Sequence, residues 1–182
     1  MNPASEATDW KADTMSQDDS SSQPTPTKFV GVPAENFPDE RRVAIAPANV
    51  AALKKAGVKV LVQTGAGTPA GYADDEYVSA GAELIADRDA IFKRAQIILQ
   101  VRTAGANVEA GADDRNRLHA GQTLIGMCDP LLGAGIMQNL ADRGVTSYAL
   151  ELLPRITRAQ SMDVLATKRC SRQPLSSLEC AR

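Results

Sequence analysis

The ten residues PRITRAQSMD, 154–163, gather side chains that position a ligand rather than titrate against it. Arg155, Gln160 and Asp163 offer a planar guanidinium fork, an amide and a carboxylate in a fixed order. Groups of this kind grip planar polar partners through paired hydrogen bonds. The stretch has no metal-ligand spacing and no nucleophile beside a base. It asks for chemistry in which alignment matters more than acid, base or metal.

Two further arginines stand next to apolar runs. Arg42 precedes VAIAP, read as an apolar strand, and Arg102 closes IILQVR, while Arg155 follows the run ending in ALELLP. In an open α/β sheet the loops beyond the strand carboxyl ends form the ligand crevice, so Arg102 and Arg155 are placed to reach it. The competing reading of a strand-end arginine is a surface ion pair.

Other residues invite chemistry and decline it on inspection. QTGAGTPAG follows a strand, but Gly65, Gly67 and Gly71 have the wrong spacing for a dinucleotide fingerprint, and Pro69 falls where a helix should begin. It reads as a turn that needs permissive backbone. His119, the single histidine, lies in a polar connection and reads as a surface residue. Cys128 reads as a small buried hydrophobe. The pairs Asp74/Asp75 and Asp113/Asp114 read as solvated helix starts rather than paired acid/base groups.

Elements of alternating type must position these side chains. KFVGVP, VKVLVQ, AELIA, QIILQVR, TLIGMC and VTSYALE read as strands. PANVAALKKAG, DDEYVSAG, DRDAIFKRA and GIMQNLADRG read as helices, with Pro47 in a first turn and Gly57 and Gly144 closing two of them. Alternation with helix-length crossovers predicts an α/β fold, a doubly wound and mostly parallel sheet of Rossmann-like or flavodoxin-like type.

The ends differ from this middle. Residues 1–27 are rich in Ser, Thr, Asp and Pro, carry about −4 by count and offer only Trp10 as bulk; they predict a disordered leader. Residues 167–182 carry about +3 by count, two of the three cysteines and no periodic pattern, and predict an irregular tail unrelated to the rest.

Composition excludes some classes. The 182 residues are 43% hydrophobic with a net charge of −2, ordinary for a globular chain and no case for nucleic acid or an anionic membrane. No apolar run approaches the roughly 20 residues needed to cross a bilayer, so direct membrane insertion is not expected. Cys128, Cys170 and Cys180 form no CxxC pair, which speaks against a zinc or redox motif and for a reducing compartment.

Four stretches together resemble a known family: ERRVAIAPANVAALKKAGVKVLVQTGAG, AGYADDEYVSAGAELI, IILQVR and YALELLPRITRAQSMD. From about Lys28 to Leu165 they are similar to the NAD-binding alpha subunit of proton-translocating NAD(P) transhydrogenase, a relative of alanine dehydrogenase. PRITRAQSMD points to the transhydrogenase branch. The resemblance implies that Arg155 contacts the nicotinamide carboxamide of NAD(H). It implies that Asp163 holds the carboxamide or its ribose, and that Gln160 reaches toward NADP(H) on a partner component. Arg42 and Arg102 match positions that in alanine dehydrogenase bind the substrate acid, and both count as cofactor-side candidates here. Further implications are membrane and NADP(H)-binding partners, a homodimer in the intact subunit, and a cytoplasmic site peripheral to the inner membrane. Hydride transfer between two nicotinamides exchanges no proton with the protein, which suits a segment built for alignment.

Alanine dehydrogenase uses a histidine as acid/base; the matching position in GMCDPLLG is Asp129. Ala166 stands where the family has a nicotinamide-side serine, and the resemblance ends at Thr167. The expectation is therefore an N-terminal domain over 28–166, a tail produced by a frameshift near residue 166, and no second NAD-binding Rossmann domain. Two alternatives stay open: an inert partner-binding remnant and an amino-acid dehydrogenase fragment.

Overall fold

The computed structural model of the chain describes residues 28–153 and 156. The expectations for the leader, the tail, Arg155, Gln160 and Asp163 fall outside these residues.

Six strands alternate with five helices among the described residues. The strands are β1 (Phe29–Val32), β2 (Lys59–Gln63), β3 (Glu83–Ile85), β4 (Ile97–Arg102), β5 (Thr123–Met127) and β6 (Thr146–Ala149). The helices are α1 (Pro47–Lys55), α2 (Asp74–Ala80), α3 (Arg88–Arg94), α4 (Ala112–Arg117) and α5 (Ala134–Asp142). Every strand pair is parallel, and the order is β3-β2-β1-β4-β5-β6. The chain winds outward from β1 in one direction and from β4 in the other. This is the Rossmann order, with its reversal between β1 and β4.

Alternate strand residues feed two cores. Val30, Val32, Val60 and Val62 meet Val50 of α1 and Tyr77 of α2 on one face. Ile98 and Leu124 meet Ile91 and Phe92 of α3, Leu118 after α4 and Leu140 of α5 on the other. Polar groups lock helix ends to this frame. Gln122 donates from Nε2 to the carbonyls of Phe92 and Ala95 at 2.6 and 2.7 Å, satisfying carbonyls at the end of α3. The Tyr77 hydroxyl donates to the Ile45 carbonyl at 2.8 Å, which ties the long β1–α1 loop to α2. Gly57 closes α1 at φ 78°, as its place in the sequence predicts.

Three local expectations need correction. VAIAP forms no strand; residues 43–46 belong to the β1–α1 loop, pinned by side-chain contacts instead of a ladder. VTSYALE is a strand only to Ala149, after which Leu150–Leu152 turn as a 3₁₀ helix. The polar run ADDRNR forms α4, which has no apolar stripe to announce it.

The register of β4 on β5 slips between Leu99 and Arg102, so Gln100 and Val101 face the single residue Gly126. A Cβ on Gly126 would lie 2.0 Å from the Gln100 carbonyl oxygen. Both sides of that clash are backbone, so no side chain can yield. Gly126→Ala is expected to cost about 1–3 kcal/mol or more, as overpacking does. Thermal unfolding should show it as a fall in Tm of several degrees.

Candidate functional site

The β1–α1 loop, residues 33–46, crosses the carboxyl end of the sheet where the strand order reverses. Its length and mixed charge, AENFPDERR, look like plain surface in the sequence. In the structure it delivers Glu35, Phe37, Glu40 and Arg42 to the end of β4, where Arg102 emerges.

Glu40 is the hinge of this cluster, with its side chain 7% exposed. Arg42 grips it in a fork, Nε to Oε1 at 2.7 Å and Nη2 to Oε2 at 2.6 Å. Arg102 donates from Nε to Glu40 Oε2 at 3.3 Å and stacks its guanidinium 3.9 Å from the centre of the Phe37 ring. Burial alone would raise the Glu40 carboxyl, but the hydrogen bonds and charge of Arg42 and the bond from Arg102 outweigh it and hold it at about 2. The same contact with Glu40 raises Arg42 above its ordinary value. Two guanidinium charges thus share one carboxylate.

Glu35 lies beside them and accepts from the backbone amides of Val101 and Arg102 at 2.6 and 3.1 Å. Desolvation pushes its carboxyl up to about 7, against the pull of those two amides. At neutral pH the cluster therefore carries positive charge in excess, the condition for receiving an anionic or strongly polar group. Asn36 and Asn107 fasten the loop to the β4–α4 connection, with Asn107 Nδ2 on Asn36 Oδ1 at 2.7 Å and Asn36 Nδ2 on the Ala110 carbonyl at 2.7 Å.

A second polar layer lies beneath. Asp114, 1% exposed, receives a bidentate pair from Arg88 at 2.8 and 2.6 Å, the Gln100 amide at 3.0 Å and Arg117 at 3.5 Å. Arg88 also reaches the Ala34 carbonyl at 2.7 Å and Gln63 Oε1 at 3.0 Å. One ion pair so joins α3, α4, β2, β4 and the start of the site loop. The reading of Asp113/Asp114 as a solvated helix start holds for exposed Asp113 and fails for Asp114. Its partners are distant in sequence, and nothing local marks it.

A third group sits at the carboxyl ends of β5 and β6. Glu151 Oε1 accepts from the amides of Cys128, at 2.8 Å, and of Asp129. Its Oε2 is buried without a hydrogen-bond partner. Asp129 adopts φ 47°, a turn conformation that aspartate tolerates. Cys128 is fully buried, as expected, and burial raises its thiol.

The sequence-predicted residues fall into three sets. Arg42 and Arg102 are brought together on Glu40 at the reversal point. His119 is exposed, with hydrogen bonds from its backbone and ring only to Gln122 and the Ala120 carbonyl. Arg155, Gln160 and Asp163 lie outside the described residues. Glu35, Glu40, Phe37 and Glu151 were not singled out by sequence; the E-x-R spacing of Glu40 and Arg42 is the one signal that points to any of them.

Residues 31–169 match the family described as alanine dehydrogenase/PNT, N-terminal domain. The chain belongs to this family. Within it, the chain is 38% identical over 138 residues to the NAD(P) transhydrogenase subunit alpha of Cereibacter sphaeroides, covering 76% of this chain and 25% of that protein. It is 34% identical over 139 residues to an NAD(P) transhydrogenase subunit alpha polypeptide of Rhodospirillum rubrum, covering 76% and 36%. An alanine dehydrogenase of Mycobacterium tuberculosis is 36% identical over 122 residues, covering 67% and 31%. Among solved structures, the transhydrogenase of Sinorhizobium meliloti superposes with a TM-score of 0.69 at 37% identity, over 78% of this chain and 38% of that one. An alanine dehydrogenase/PNT N-terminal domain thus spans about a quarter to two fifths of the relatives it matches. No helix among the described residues is long and apolar enough to cross a membrane.

Proposed function

We propose that this domain belongs to a transhydrogenase alpha subunit, as its N-terminal portion, and serves hydride transfer from NADH to NADP⁺. The observation that carries the reading is the reversal-point cluster, where Arg42 and Arg102 share Glu40 and no histidine lies among the cluster's partners. Such a set holds polar planar groups and has no proton to trade, which suits transfer between two nicotinamides. The higher identity to the transhydrogenase alpha subunit of Cereibacter sphaeroides supports it.

The residues present fit a nicotinamide nucleotide. The excess guanidinium charge suits a phosphate or another anionic group. The buried, unpartnered Glu151 Oε2 is an acceptor suited to an N–H donor such as a carboxamide. Arg155 and Asp163 would hold the carboxamide and ribose, Gln160 would face NADP(H) on a partner, and Arg42 and Arg102 would close the first-domain side of the cleft. NAD(H) supplies the hydride; the chain's own role is to orient and to exclude water. Membrane and NADP(H)-binding components, coupling to proton translocation, pairing as a homodimer and a cytoplasmic place beside the inner membrane belong to the same proposal.

Arg42 and Arg102 also support a second reading, an amino-acid dehydrogenase fragment that binds a substrate carboxylate. One experiment separates the two. The domain is joined to a second nucleotide-binding domain and mixed with an NADP(H)-binding component. Reduction of NADP⁺ by NADH with no activity on alanine and NAD⁺ is the expected result. Alanine oxidation without transhydrogenation would overturn it.

A further inference from the structure

The register pairs of β4 with β1 end at Ile98 opposite Gly31, and β1 itself ends at Val32. On its other side β4 slips against β5 between Leu99 and Arg102. Amides at such an irregularity need acceptors from outside the ladder. Glu35 provides them: Oε1 takes the Val101 amide at 2.6 Å and Oε2 the Arg102 amide at 3.1 Å. One side chain from the site loop therefore holds the backbone that carries Arg102 onto Phe37 and Glu40.

Accepting at both oxygens requires the carboxylate. A neutral carboxyl keeps one strong acceptor and turns its other oxygen into a donor. We propose that Glu35 is a positioning residue for Arg102, and that it clamps the bulged end of β4 at both amides only when ionised.

The charged groups around it come from each neighbouring element. Glu40 and Arg42 share its loop, Arg102 comes from β4, Arg88 from α3 and, through Arg88, Asp114 from α4. Desolvation raises the Glu35 carboxyl most, the two amides lower it, Glu40 raises it and Arg88 lowers it, for a balance at about 7. Folding thus lifts this group from its usual 4.5. Its protonation favours the fold fully at low pH, and that contribution fades as pH rises through about 7. The closed clamp above neutrality is the arrangement held against desolvation by the two amides. A shift of pH across neutrality then changes how firmly Arg102 is presented.

What Arg102 does for a ligand rests on the function proposed above; the hold on its backbone does not, and the test reads the backbone. In ¹⁵N-labelled full chain, the Val101 and Arg102 amide proton shifts should titrate together with a midpoint near 7. Glu35→Gln should abolish both titrations and speed hydrogen exchange at one of the two amides by about tenfold at pH 8, the worth of one lost hydrogen bond. Glu35→Asp should restore a titration in that region. A midpoint below about 6, or amide profiles in Glu35→Gln that match the wild type, would overturn the proposal. If Glu35→Gln does not fold, the side-chain carboxyl of Glu35 followed by ¹³C in the unaltered chain decides it: a midpoint near the ordinary 4.5 sinks the idea, and one near 7 upholds it.

Discussion

Asp114→Ala is expected to destabilise the domain by about 3 kcal/mol, near the lower end for a broken buried ion pair. The substitution strands the Arg88 guanidinium, whose side chain is 17% exposed, and removes the acceptor of the Gln100 amide. Arg88 keeps the Ala34 carbonyl and Gln63, so the loss falls short of a wholly uncompensated charge. Against a typical stability of about 5–15 kcal/mol this is a large fraction. Asp113→Ala, one residue earlier and exposed, should change stability by about 0.5 kcal/mol or less. Urea unfolding followed by circular dichroism measures both. Equal midpoints for the two variants would show that the buried pair does not tie the layers together. The consequence extends to the site, because Arg88 holds the Ala34 carbonyl next to Glu35. A partly destabilised Asp114→Asn, which keeps one acceptor oxygen for Arg88, should lie between the two.

Arg155→Ala should slow hydride transfer by roughly ten- to a hundred-fold in the assembled system of three components. A charge-assisted contact is worth about 1.5–3 kcal/mol, which converts to that range of rate. NADH affinity should fall less than the rate, because most nucleotide affinity comes from groups away from the reacting ring. An interaction used chiefly in the transition state lowers the rate of the step itself. Gln160→Ala and Asp163→Ala should follow the same pattern. His119→Ala serves as one control, since the residue is exposed and outside the cluster. Asp129→Asn is the other; asparagine tolerates the positive φ that alanine would not. Single-turnover stopped-flow with both nucleotides bound gives the rate directly. Loss of the step in either control, with Arg155→Ala unaffected, would replace alignment by proton transfer as the governing chemistry.

Sequence alone determined the layered architecture. Apolar runs such as VKVLVQ and IILQVR, spaced by helix-length segments with Pro47 and Gly57 at their ends, leave few ways to bury their surfaces, and a parallel sheet with helices on both faces is the solution. Sequence also placed Arg102 at a strand end and Cys128 in the core, because both follow from position within a single element. Strand order was a different matter. The reversal between β1 and β4 comes from which neighbours pack best across the whole sheet, and it alone makes the 33–46 loop and the end of β4 one site. No local pattern distinguishes Asp114 from Asp113, or marks Glu35 as the acceptor for a bulge some 66 residues away. Burial and pairing of a charge depend on partners that chain entropy keeps apart until the fold closes. VAIAP shows the same limit in reverse: its apolar residues read as a strand, yet with the sheet already filled they pack as a loop against α1 and α2. What the tertiary structure decided, then, is where charge is enclosed. Desolvation and long-range hydrogen bonds set that, and neither is written in the spacing of neighbours along the chain.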